Sequence, residues 1–386
     1  MKSRIKIFFL MPSLIGGGAE KALMNVLALL NYDDYEVTVC SVLKKGVYID
    51  QLPREVNFLY LLKNELLFKF LFKLHQKFDF FLPMNFLLRR KLNGLFFDFG
   101  ICFLDGITTE LLHAGNYFGR KYTWVHSCYR SYSNFSKFYS SPRYVERLKK
   151  NRYCGLDGIV FVSQDAKSEF VEVFGSFPNM PVVYNPILSK QILYLSESQK
   201  DLDIVNRKNF VFISIGSLIP VKNHVLLIEA AKILKGLNLK FTILILGSGY
   251  LESLLKEKVC DYKLENYVKF IGFTENPYKF IREANVYVMT SKSEALPTAM
   301  LEAMVLGKPV ITTNVTGSRE IVGMGIFGML TDENPDSLSK AMRDFIENND
   351  LYYHYKEKAL LRATEFTDER FLVSFNNLLY NANSPN

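Results

Sequence analysis

At 386 residues the chain exceeds the roughly 250–300 residues over which a single core keeps growing, so two domains are expected. Its 49% hydrophobic content excludes a disordered or low-complexity chain. Residues 1–200 carry 26 Lys and Arg against 17 Asp and Glu, whereas residues 201–386 carry 21 against 22. A basic first half calls for an anionic partner: nucleic acid, a phospholipid surface or a phosphorylated substrate.

The chain opens with Lys2, Arg4 and Lys6 around an apolar run from Ile5 to Ile15, which superficially resembles a signal peptide. Pro12 interrupts that run, and Gly16-Gly17-Gly18-Ala19-Glu20 leads into an amphipathic pattern. The expectation is therefore a buried strand, Ile5–Leu10, followed by a helix, Glu20–Leu30, and a strand, Glu36–Val42. No apolar stretch approaches the ~18–20 residues of a membrane span. Across 63–91 there are seven basic residues and two acidic ones, and Lys69, Lys73 and Lys77 lie four apart along one face of a helix spanning Glu65–Phe78. Two readings stay open: a helix lying in a membrane interface, or a core-packed helix with a solvated lysine edge.

Short β-rich runs follow at Phe99–Leu104, Tyr122–Val125 and Gly158–Ser163, with a helix at Ala166–Phe174. Residues 186–208 are polar, contain Pro186 and end in mixed charges, which predicts an interdomain linker. A second series begins at Phe210–Ile215. It continues through helix Val225–Leu234, strand Phe241–Leu246, helix Leu251–Val259 and strand Tyr267–Ile271, then Val286–Met289, Ala299–Val305 and Pro309–Thr313. Alternation of this kind predicts an α/β protein with two doubly wound domains, 1–186 and 209–386, joined by a linker, 187–208. Pro335 to about Tyr380 is helical and could return to the first domain. Cys40, Cys102, Cys128, Cys154 and Cys260 are odd in number and form no C-x-x-C pair, which suits buried thiols in a reducing compartment.

One segment concentrates chemistry. Val286–Met289 is a strand, Thr290-Ser291-Lys292-Ser293-Glu294 the loop after it, and Ala299–Val305 the next helix, with Pro297 placed in its first turn. Glu294 and Glu302 thus stand at a strand's carboxyl end and in the following helix, where open α/β sheets bind ligands. The backbone N–H groups of Thr298 and Ala299, at the helix mouth, suit an anion.

The stretch S-E-A-L-P-T-A-M-L-E-A-M-V-L-G-K-P-V-I-T-T resembles the Glu-x7-Glu signature of the retaining glycosyltransferases with the GT-B fold (group 1, family 4). Within them it is similar to bacterial enzymes that extend lipid-linked oligosaccharides and surface polysaccharides. The resemblance implies two Rossmann-like domains facing across a cleft and a nucleotide-diphosphate sugar, UDP-linked, as donor. It implies that Glu302 accepts hydrogen bonds from the ribose hydroxyls and that Glu294 stands beside the donor sugar, with Leu296, Thr298 and Ala299 lining the same half-site. Acceptor-only carboxylates suit both roles. Ala295 replaces the glycine usual after the first glutamate.

Further segments extend the likeness. Gly216-Ser217-Leu218-Ile219-Pro220-Val221-Lys222-Asn223 resembles the G-R-L-x-x-x-K-G segment whose cations neutralise the leaving diphosphate. Lys222 matches, while Ser217 stands where the family has arginine. Gly17 and Gly18 fall in a G-G-A-E loop that approaches the diphosphate. Trp124-Val125-His126 ends a strand where the family places a histidine near the donor sugar, although a lone strand-end histidine is more often structural. Leu246-Gly247-Ser248-Gly249 matches a G-x-G turn, and Phe273 or Thr274 would adjoin the base.

The implied reaction retains anomeric configuration and needs no metal. Asp201-Leu202-Asp203 lies in the linker and is not read as a metal site. The acceptor implied is a glycan on a polyprenyl diphosphate, met at the cytosolic face of the membrane through residues 63–91. Two alternatives are a GT-B nucleotide-sugar epimerase, for which no acid/base pair stands beside Glu294, and a basic nucleic-acid-binding protein, for which no recognisable module exists.

Overall fold

A computed structural model describes residues 3–78, 82–131, 135, 139–197 and 209–380. The first apolar run forms β1, Ile5–Met11, whose last five side chains are buried. Its fully apolar character fits a central strand covered on both faces. The chain then alternates helices with β2 (Tyr35–Leu43), β3 (Asn57–Leu62), β4 (Phe97–Cys102), β5 (Phe118–Val125) and β6 (Gly158–Phe161). All pair in parallel, in the order β3-β2-β1-β4-β5-β6. The helix Gly18–Leu29 buries Ala22, Leu23, Val26 and Leu27, the i, i+4 spacing that lays one face on the sheet. Helix Gln164–Phe174 starts where Ser163 Oγ accepts the Ala166 N–H at 3.1 Å.

The second sheet repeats this plan with β7 (Phe210–Ile215), β8 (Phe241–Leu246), β9 (Val268–Gly272), β10 (Val286–Met289), β11 (Val310–Thr313) and β12 (Met329–Thr331). Its order is β12-β11-β10-β7-β8-β9, again all parallel. In each sheet the order reverses direction once: between β1 and β4 in the first, between β7 and β10 in the second. The strand ends flanking such a switch point diverge and leave a crevice at their carboxyl side.

Two compact units result. The first takes the described residues up to 130, 135–186 and those from 371 on; the second takes Ser131 and 187–370. The last helix, Asp368–Tyr380, therefore sits largely in the first unit, where Phe375 is fully buried beside Trp124 and Asn376 accepts the Tyr35 hydroxyl at 2.9 Å.

Several expectations change. Residues 189–196, inside the expected linker, form a helix, Ser189–Ser196, in the second unit; Ile192 is buried and Leu195 O accepts from Asn276 Nδ2 at 2.9 Å. Asp201 and Asp203 lie outside the described residues. Two strands unmarked in the sequence, β3 and β12, appear at sheet edges. Cys154 and Cys260 are exposed, whereas Cys40, Cys102 and Cys128 are buried.

The helix Glu65–Phe78 packs on the first unit and also turns apolar side chains outward. Phe68 and Leu71 pack on the first unit's core, and buried His75 meets Glu110 at 3.2 Å, with Arg152 on that carboxylate's other oxygen at 3.1 Å. Leu66, Leu67 and Phe70 face outward. Lys69 is not a bare stripe residue: it pairs with Glu65 at 2.8 Å, and Glu65 also takes Lys45 at 2.6 Å. The Lys77 side chain lies outside the described residues. Among the described residues no helix is long and apolar enough to cross a membrane.

Candidate active site

The loops after β7 and β10 meet at the second sheet's switch point. After β7 the backbone runs through Gly216–Ile219 into the turn Pro220–Lys222 and the helix His224–Gly236, with Asn223 in the left-handed region at φ 49°. The Gly247-Ser248-Gly249 turn holds this loop. Leu218 N–H donates to Ser248 O at 2.9 Å, and a Cβ on Gly247 or Gly249 would stand 2.0 Å from Gly216 O or 2.3 Å from Leu218 O. Only glycine permits that approach.

The loop after β10 is tied to the same turn. Thr290 Oγ1 donates to Lys222 O at 3.0 Å, and Lys292 N–H to Val221 O at 2.8 Å. Below it, Thr313 Oγ1 donates to Ser291 O at 2.6 Å. Ser291 Oγ in turn donates to Glu294 Oε1 at 2.7 Å, and the Lys222 ammonium donates to the same oxygen. Lys222 and Glu294, 72 residues apart in sequence, are thus brought into direct contact.

Glu294 is followed by buried Ala295 and Leu296 and by the helix Thr298–Val305. Pro297 does not stand in the first turn as expected; it is the capping residue, at ψ 86°, immediately before it. The consequence for the helix mouth is small, because Met300 and Leu301 already donate to Pro297 O. The Thr298 and Ala299 N–H groups, one turn short of an intrahelical acceptor, are the donors left at the mouth. Glu302 lies in the second turn, nearly buried, and its Oε1 accepts the Tyr278 hydroxyl at 3.0 Å. Tyr287, fully buried on β10, has its phenol pKa raised by burial first and then by the negative charges of Glu294 and Glu302. Both carboxylates therefore act on one ring.

Ser217 is exposed at the start of the β7 loop. Phe273 and Thr274 follow β9, the far edge strand; Phe273 is exposed, and Thr274 Oγ1 donates to Asn276 O at 3.4 Å. No contact joins these three to Lys222, Glu294 or Glu302 among the described interactions.

In the first unit, Gly17 is the capping residue of helix Gly18–Leu29, at the carboxyl end of β1. Glu20 curls back on that helix mouth. Burial raises its pKa, while the N–H groups of Glu20 and Gly17 act to lower it, and a Cβ on Gly17 would stand 2.5 Å from its Oε2. His126 follows β5. Burial pushes its pKa down to about 3, and the Phe103 carbonyl it bonds opposes that only partly. Among the described residues its buried Nε2 has no hydrogen-bond partner. Beneath it, Asp105 gathers the Tyr129 hydroxyl, the Tyr153 hydroxyl at 3.3 Å and the His126 backbone N–H. Burial raises the Asp105 pKa despite these bonds.

Sequence reasoning missed Ser291, Tyr278, Tyr287 and Asp105. Ser291 sits inside the motif loop and could have been found there; the others come from separate segments with no local signal. Among the described residues no group of three His, Cys, Asp or Glu could hold a metal ion.

Residues 197–362 match the family described as Glycosyl transferases group 1. The match covers less than half of the chain. The chain shares 31% identity over 217 residues with the N-acetylgalactosamine-N,N'-diacetylbacillosaminyl-diphospho-undecaprenol 4-alpha-N-acetylgalactosaminyltransferase of Campylobacter jejuni, a match covering 55% of this chain and 57% of that one. The chain thus spans little more than half the length of that curated relative. Its two repeated sheets form the GT-B fold. Anabaena HepE in complex with UDP superposes with a TM-score of 0.76 at 19% identity, covering 97% of this chain and 99% of that one. Sucrose-phosphate synthase from Thermosynechococcus elongatus gives 0.80 at 14% identity, covering 97% and 98%.

Proposed function

We propose that this protein is a retaining glycosyltransferase that moves a hexose or N-acetylhexosamine from a UDP-linked donor to a lipid-linked or growing glycan in polysaccharide or oligosaccharide biosynthesis. The observation that carries the reading is the convergence of Lys222, Glu294 and the helix mouth at one switch point, with Glu302 one turn deeper. Such a site offers a cation and N–H donors for a diphosphate and carboxylates for hydroxyl-rich groups.

In this reading Glu302, oriented by Tyr278, accepts from the ribose hydroxyls. Lys222, Ser217 and the Thr298 and Ala299 N–H groups take the diphosphate. Leu296 walls the pocket, and Phe273 or Thr274 adjoins the base. Glu294 orients sugar hydroxyls and stabilises positive charge building at the anomeric carbon. In the first unit, His126, neutral at physiological pH, offers its Nε2 lone pair to a hydroxyl. The bond from anomeric carbon to phosphate oxygen breaks as the acceptor oxygen attacks the same face, and the acceptor's proton passes to the leaving phosphate. Positioning and charge stabilisation then supply the rate without a metal.

Support for the donor comes from neighbours solved with UDP and UDP-glucose, and for the acceptor from the diphospho-undecaprenol in the relative's name. The workplace proposed is the cytosolic face of the membrane, with residues 63–91 in peripheral contact. A thermal-shift panel of UDP-, GDP-, ADP- and dTDP-sugars tests the donor, since ligand bound to the native state raises apparent stability. The expected result is a shift with UDP-sugars that Glu302→Ala abolishes; no shift with any nucleotide sugar sinks the reading. Isomerised sugar nucleotide from donor alone would instead establish the epimerase.

A further inference from the structure

Three ammonium groups crowd one aromatic ring at the carboxyl end of the first sheet's edge. Lys44 follows β2, Lys63 follows β3, and Lys91 ends the helix Leu82–Lys91; their Nζ atoms lie 5.1, 5.6 and 5.2 Å from the Tyr60 ring centroid. All three lysines are exposed. No carboxylate pairs with any of them among the described ion pairs. The nearby acid, Glu65, is engaged by Lys45 and Lys69.

This concentration of charge has a cost. No two of the three ammoniums are further apart than about one Debye length at 0.1 M salt, ~10 Å, so their repulsion is only partly screened. The ring face offsets part of it for an exposed cation, and the helix C-terminus favours Lys91. Neither explains why three converge. The surroundings are also unusual for a solvated surface: Leu66, Phe70 and Phe86, on the two helices that pack on β3, are 77, 59 and 65% exposed. Cations beside outward-facing Leu and Phe match a bilayer's phosphate layer and the acyl boundary beneath it. Nucleic acid would leave the apolar side chains unused.

We propose that Lys44, Lys63 and Lys91, gathered by Tyr60, form the site at which this protein binds the phosphates of an anionic phospholipid bilayer, with Leu66, Phe70 and Phe86 entering beside it. The Lys69–Lys73 stripe, partly neutralised by Glu65, is secondary. This deepens the reading of a membrane-borne acceptor and rests on it only for its purpose, because lipid binding is measured without donor or acceptor.

The test is flotation of the full chain with vesicles of 30 mol% phosphatidylglycerol in phosphatidylcholine, and with phosphatidylcholine alone. At roughly 1 kcal/mol per lysine near an anionic surface, the variant Lys44→Gln/Lys63→Gln/Lys91→Gln should lose on the order of a hundredfold in partition to the anionic vesicles. A control, Lys240→Gln/Lys263→Gln/Lys340→Gln, removes the same charge from exposed positions of the second unit and should lose less than threefold. UDP-sugar thermal shifts should be unchanged in both, which separates this site from the donor reading. Equal flotation of parent and first variant overturns the proposal. Equal loss in the control, or equal loss on neutral vesicles, overturns it too, by assigning the effect to net charge or to the apolar side chains alone.

Discussion

The Lys222 ammonium and the Glu294 carboxylate hold each other across the second sheet's switch point, with Ser291 Oγ on the same Glu294 oxygen. The two groups assigned to opposite ends of the donor, diphosphate and sugar, thus neutralise one another before it arrives. Their side chains are 27 and 13% exposed, so the pair contributes little to stability beyond the ~0–1 kcal/mol of a partly solvated ion pair. Lys222→Ala should therefore leave thermal unfolding within a few degrees of the parent. Turnover should fall by roughly a hundred- to a thousandfold, the usual loss when one donor to a developing anion is removed. Steady-state kinetics beside a melting curve decide it; a variant with parental kcat shows that the lysine only tethers the loop.

Glu302 calls for a different signature. Its carboxylate is nearly buried and already accepts one hydroxyl, from Tyr278. Hydrogen bonds to a charged group contribute about 1.5–3 kcal/mol, so Glu302→Gln should raise the donor KM on the order of ten- to a hundredfold, with kcat changed far less. Tyr278→Phe should move KM the same way by a smaller factor, because the carboxylate loses its orientation and keeps its charge. If kcat falls while KM holds, ribose is not what Glu302 binds.

The two strands that sequence patterning does not mark are both edge strands. β3, Asn57–Leu62, runs into Lys63-Asn64 and the apolar helix at Glu65 with neither Gly nor Pro between, so a continuous run of Phe, Leu and Tyr hides a change of period. β12 has three residues, too few for a pattern. The central strands are legible because burial on both faces demands unbroken apolar runs. In the site, Glu294 and Glu302 share one short segment and can be read together. Tyr278, Tyr287 and Asp105 reach their partners through the tertiary fold, and nothing near them in sequence announces it. Lys63 and Lys91 were visible as charge, but their convergence with Lys44 on Tyr60 required β2 and β3 to be paired.

The acid side of the stability profile should carry the mark of His224, buried at the head of its helix. Burial, and after it the Lys222 charge, lower its pKa to about 4 from the ordinary 6.5. A histidine held neutral in the folded state takes up a proton on unfolding. Its contribution is therefore complete above about pH 6.5 and is lost as pH falls towards about 4. Within that window it adds up to about 1.4 kcal/mol of destabilisation per pH unit. Chemical denaturation at pH 4.5, 5.5 and 6.5 should show His224→Leu with a shallower pH slope than the parent by about that amount. Parallel slopes would mean that His224 titrates normally.

Gly317 is where the backbone fixes Glu294. It is left-handed at φ 74°, and a Cβ there would stand 2.4 Å from Glu294 O and 2.7 Å from Ala295 O. Backbone carbonyls cannot give way as a flexible side chain can, so Gly317→Ala must displace the Glu294–Ala295 segment. Gly307 supplies the contrast: it is also left-handed, at φ 65°, but the atoms nearest a Cβ there belong to the Leu360 side chain, from 3.4 Å. Each alanine variant should lose about 1–2 kcal/mol of stability from the unfavourable φ. Only Gly317→Ala should also lower kcat/KM, by tenfold or more, when rates are expressed per folded molecule. The comparison removes the generic penalty common to both. If the two variants turn over alike, the carboxylate of Glu294 is positioned by Ser291 and Lys222, and the Gly317 contact supports the loop without aiming it.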